Sequence, residues 1–116
     1  SFIHIRDVAE ATWRVAQRGR SGEAYHVAPK GESTTIFELV SMICGKMGAS
    51  ADDFATLIDH NFGQDATYKL DTTKIETELN WKPTIGLDYG IAEMIDWVKL
   101  NWSEIQALPH DYIHQK

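Results

Sequence analysis

The stretch Thr35-Ile-Phe-Glu-Leu-Val-Ser-Met-Ile-Cys-Gly-Lys-Met-Gly48 decides how this chain is read. Thr35 and Glu38 stand three apart, the spacing of a capping box, in which a hydroxyl and a carboxylate satisfy the free N–H groups of a helix start. Behind them Ile36, Leu39, Val40, Ile43 and Met47 recur at helical spacing, and Gly48 closes the pattern. Cys44 falls on the apolar side, where a cysteine acts as a small hydrophobe. One amphipathic helix of this kind must bury its stripe against something else in the chain.

Upstream, Phe2-Ile3-His4-Ile5 and Ala24-Tyr25-His26-Val27 are short and rich in β-branched and aromatic residues, which predicts two strands. Between them Asp7 and Glu10 repeat the capping spacing, and Val8, Thr12, Val15 and Ala16 make one stripe. A helix over 8–18, capped by Asp7 and ended by Gly19 and Gly22, follows. Downstream, Ser50 to Ile58 reads as a short helix and 59–66 as a loop. Thr67-Tyr-Lys-Leu70 reads as a strand, and Asp71 caps a short helix that runs to Leu79. Trp81-Lys-Pro83 is a turn. Leu87, Ile91, Met94, Ile95, Val98 and Trp102 form one face of a long helix that Pro109 ends, leaving 109–116 as a tail. With no repeat and no linker, the expectation is one domain: α/β, helix-rich, with a few short strands.

The 116 residues, 43% of them hydrophobic and 24% charged, describe an ordinary domain. That length is short for a chain that must hold both a dinucleotide and a second substrate. Lys+Arg 11 against Asp+Glu 17 gives a net charge of -6, which argues against a nucleic-acid binder, because phosphate backbones demand surplus cations. A lone cysteine excludes an internal disulfide framework and a cysteine-based zinc site. No apolar run approaches the roughly 20 residues of a membrane span, and no signal peptide is visible. A reduced, cytoplasmic setting is the expectation. The chain opens on Ser1, so a fragment of a longer protein is one of the readings.

Chemical motifs are sparse. No G-x-G-x-x-G or G-x-x-x-x-G-K-[ST] is present, and Gly45 and Gly48 sit at a helix end, where no free N–H groups can cradle phosphate. Tyr112 and Lys116 have Tyr-x-x-x-Lys spacing but lie beyond Pro109, without a strand or glycine loop before them, and read as coincidence. His110 and His114 are two metal ligands at best, without a third, so no metal site is expected. His4 and His26 read as packing or surface residues. Tyr25 and Trp81 read as core, and Trp97 and Trp102 as a packed face or a partner face.

Four blocks, in order, resemble the C-terminal part of the NAD-dependent epimerase/dehydratase family of extended short-chain dehydrogenase/reductases, of the dTDP-glucose 4,6-dehydratase type. They are Ser1-Phe-Ile-His-Ile-Arg-Asp-Val-Ala-Glu-Ala11; Gly22-Glu-Ala-Tyr-His-Val27; Phe62-Gly-Gln-Asp65 with Tyr68-Lys-Leu-Asp71; and Lys74-Ile-Glu-Thr-Glu-Leu-Asn-Trp-Lys-Pro83 followed by Gly90-Ile91. The resemblance implies a substrate-binding lobe without the Rossmann lobe that holds NAD and the catalytic groups. The chain would bind a nucleotide-diphosphate sugar, hold no NAD itself and be inactive alone. The family pattern Arg-x-Gly-x-Asp, which grips diphosphate and ribose, corresponds to Asn61-Phe-Gly-Gln-Asp65. Gly63 and Asp65 match, and Asn61 stands where the family has arginine. An amide for a guanidinium forfeits a planar, charged fork of donors.

The implied substrate contacts are therefore Asp65, Asn61, Gln64 and His60, against a plain reading in which Asp65 makes an Asx-turn and the others are solvated loop residues. The family also implies a β-edge at the Tyr25 segment and an apolar face, from which a homodimer or docking to a separate Rossmann subunit is expected. The competing function is a non-enzymatic interaction or regulatory module built on the same scaffold, which Asn61 favours.

Overall fold

The computed structural model describes residues 2–31, 33–56 and 69–109. Five α-helices carry the described fold: α1 (Ile5–Arg18), α2 (Ile36–Met47), α3 (Thr73–Leu79), α4 (Leu87–Leu100) and α5 (Trp102–Gln106). A single 3-10 turn, Ala51–Asp53, follows α2. α1 packs on α3, while α2 packs on α4 and on the 3-10 turn. Among the described residues no helix is long and apolar enough to cross a membrane.

The core forms where α1 meets α3 and the segment after it. Ala11, Ile75, Leu79 and Trp81 are its buried members, with Ile3, Val15, Tyr25 and Val27 packed around them. Ala11 is small, which lets α3 approach α1 closely. Trp81 is 1% exposed, and its indole N–H donates to the Asp7 carbonyl at 3.2 Å, so its one polar atom is satisfied inside.

The capping box of α2 is present as the sequence predicts. Thr35 Oγ1 accepts from the Glu38 N–H at 3.1 Å, and the Thr35 N–H donates to Glu38 Oε2 at 2.7 Å. Gly48 ends the helix with φ 72, the left-handed conformation that glycine adopts without Cβ strain. Cys44 is buried, as its stripe position requires. Other elements differ from the sequence reading. α1 starts at Ile5, three residues before the expected helix, and its cap is His4, whose side chain accepts from the Arg6 N–H. Asp7 does not cap, because its carboxylate is turned inward to a distant segment. Asp71 does assist its helix, accepting from the Thr73 N–H at 2.8 Å, although Thr72 occupies the cap position in the backbone.

The expected helix from Ser50 contracts to the 3-10 turn, with Ile58 outside the described residues. Phe54, which would anchor another turn, is exposed and offers no burial to drive one. The long helix from Leu87 breaks at Asn101, whose side-chain amide donates to the Trp97 carbonyl at 2.8 Å and competes with backbone pairing there.

The short strands are not formed among the described residues. Residues 2–4 and 24–27 carry no ladder, and Ile5 belongs to α1. Of the third segment, Thr67 and Tyr68 lie outside the described residues, and Lys69 and Leu70 are irregular. Their composition fits a pleated surface, but a strand exists only when a neighbour supplies the other half of each hydrogen bond. Here Ile3, Tyr25 and Val27 pack against helices instead. The helix-rich part of the expected class holds.

Candidate functional site

The residues that the sequence singles out for substrate contact, His60, Asn61, Gln64 and Asp65, lie outside the described residues, as do His110, Tyr112, His114 and Lys116. Lys69, the first described residue after 57–68, lines a cleft of about 510 Å³. Its walls are the three segments that precede α2, α3 and α4. They contribute Lys30, Ser33 and Thr34, then Lys69 and Asp71, then Thr84.

The third wall is held by a buried acid. Asp7, 4% exposed, accepts from the Thr84 N–H at 3.1 Å, from the Thr84 hydroxyl at 2.9 Å and from the Ile85 N–H at 2.9 Å. Burial is the largest influence on this carboxyl and pushes its pKa up. The hydrogen bonds from Ile85 and Thr84, with nearby His4, together outweigh it and leave the pKa below its ordinary value. The second wall is tied by Lys30, which pairs with Glu76. That contact and the Thr72 hydroxyl hold the Glu76 carboxyl below its usual range. Hydrogen bonds from Thr73 do the same for Asp71.

These carboxylates are ionised near neutral pH. They accept hydrogen bonds and do not serve as proton donors. Ammonium groups, hydroxyls and carboxylates around a cleft of this size match the hydrogen-bonding needs of a polyol or a phosphorylated sugar. Sequence reasoning did not find Lys30, Lys69 or Thr84 as lining residues. Lys30 and Lys69 are 39 residues apart and Lys69 and Thr84 are 15 apart, and no short motif joins them.

A second cavity, about 810 Å³, runs between residues 2–5, α2 and α4. It is apolar, with Leu39, Ile43 and Met47 on one side and Met94 and Trp97 on the other. The starts of α1 and α2 do not fit a dinucleotide diphosphate. At α1 the His4 ring already accepts the Arg6 N–H, and at α2 the Thr35–Glu38 capping box takes up the free N–H groups, so neither end is open to a phosphate.

Comparison with known proteins shows the family. The family described as GDP-mannose 4,6 dehydratase matches residues 1–94. A dTDP-glucose 4,6-dehydratase of Streptomyces niveus is 36% identical over 109 residues, covering 91% of this chain and 32% of the relative. A dTDP-glucose 4,6-dehydratase of Haemophilus influenzae is 30% identical over 112 residues, covering 88% of this chain and 33% of the relative. The chain thus spans about a third of the length of the curated relatives it matches.

Proposed function

This chain belongs to the GDP-mannose 4,6 dehydratase family, and from that premise we propose that it is the nucleotide-sugar-binding, C-terminal part of a dTDP-glucose 4,6-dehydratase-like lyase. The observation that carries this reading is the match over residues 1–94, joined to relatives named as dTDP-glucose 4,6-dehydratases. Asp65 contacts the ribose, and Asn61, Gln64 and His60 line the diphosphate. The polar cleft supports the placement, since Lys69, one of its donors, directly follows residues 60–65 and their neighbours in sequence. NAD belongs to a different part of the parent enzyme, so the chain is not catalytic alone. It works in the cytoplasm as a homodimer or beside a separate cofactor-binding subunit.

Isothermal titration with dTDP-glucose, UDP-glucose and GDP-mannose tests this. Saturable binding of dTDP-glucose is expected, with Asp65→Ala weakening it and Asn61→Arg tightening it, each by about tenfold, the value of a hydrogen bond to a charged partner. Absence of binding by all three overturns the reading and leaves the interaction-module alternative, which Asn61 in the arginine position favours. Tight stoichiometric NAD binding would contradict the division of labour. Light scattering that finds only monomer at micromolar concentration would contradict self-assembly.

A further inference from the structure

The cap of α1 is of an uncommon kind. Ser, Thr, Asp and Asn usually fill this position. Here His4 does, and its Nδ1 accepts from the Arg6 N–H at 3.2 Å. A ring nitrogen that accepts a backbone N–H carries no proton of its own, so the neutral imidazole bears its hydrogen on Nε2. That nitrogen lies 3.5 Å from Oε1 of Glu93 on α4. The ring rests against Gly90 of α4, where a Cβ would come within 3.0 Å of Cδ2. The charged groups that face it are Glu93 from α4, Arg6, which is paired with the same Glu93, and Asp7.

We propose that His4 is a pH-operated latch between α1 and α4: the neutral ring caps α1 through Nδ1, and the protonated ring gives up the cap and grips Glu93. The donor count forces the exchange. An imidazolium has two N–H donors and no acceptor. Its Nδ1–H would face the Arg6 N–H and the positive end of the α1 dipole, which repel it. Its Nε2–H gains an ion pair with Glu93, and Asp7 adds attraction. Loss and gain oppose one another in global stability, so the signature is local. The first turn of α1 loosens while the joint to α4 tightens.

The test is NMR on the whole chain at about pH 8 and about pH 5, either side of the imidazole range. Long-range ¹H–¹⁵N spectra of the ring report the tautomer. Exchange of the Arg6 amide, expressed as protection relative to an unstructured peptide, reports the cap. Expected are the Nε2–H tautomer at the higher pH and an Arg6 protection factor that falls about fivefold at the lower, the effect of losing one cap. His4→Asn keeps an accepting oxygen without a titrating group, and its protection should not change with pH. An Nδ1–H tautomer at the higher pH, wild-type protection that is equal at both, or the same fall in His4→Asn each overturns the latch.

Discussion

Asp7 belongs to the first turn of α1, yet its carboxylate works on backbone 77 and 78 residues away. Removing it leaves the partly buried N–H groups of Thr84 and Ile85 without their acceptor. Asp7→Ala should therefore cost roughly 2–4 kcal/mol, measured by urea unfolding at neutral pH. The pKa of Asp7 is lowered on folding. Its stabilisation is then complete above the ordinary carboxylate range of about 4 and is lost as pH falls through that range toward the lowered folded value. Asp7→Asn should flatten this acid branch of the stability curve, seen as a smaller difference in unfolding free energy between about pH 6 and about pH 3. The tryptophans offer a contrast. Trp81 is 1% exposed and Trp97 55%. Trp81→Ala should cost about 3–5 kcal/mol and Trp97→Ala under about 1 kcal/mol in the same assay, because only the first opens a core cavity.

Among the elements, α2 carries its instructions locally. Thr35 and Glu38 are close in sequence and close in space, so the box forms from the chain's own turn. Thr35→Ala should lower stability by about 1 kcal/mol, read from the denaturant midpoint. Gly48→Ala, at φ 72, should cost about as much again through left-handed strain. The ends of α1 and α3 are settled between elements. Arg14 donates to the Leu79 carbonyl at 3.2 Å and to that of Asn80, closing α3 from a side chain on α1. No reading of residues 73–80 alone would locate that contact, because the spacing along the chain carries no trace of it.

For the molecule as a whole, the described residues form one polar cleft and one apolar groove. The groove is lined in part by Met47 and Met94, both exposed. Met94→Lys should therefore leave the unfolding free energy within about 0.5 kcal/mol while reducing any self-association seen by light scattering. Unchanged association would separate the groove from assembly.

Periodicity and capping chemistry in the sequence set the existence of α1, α2, α3 and α4, the burial of Cys44 and Trp81, and the family blocks, since each rests on neighbours a few residues apart. Strands at 2–5 and 24–27 are not formed among the described residues, because β-branched composition describes a side-chain preference, whereas a strand also needs a second backbone to complete its hydrogen bonds. Which acid caps and which acid clamps, where α4 ends, and which lysines share a cleft were decided only by tertiary structure. Asp7 shows why: its capping spacing is real, but a buried site with three donors outbids a helix end open to water.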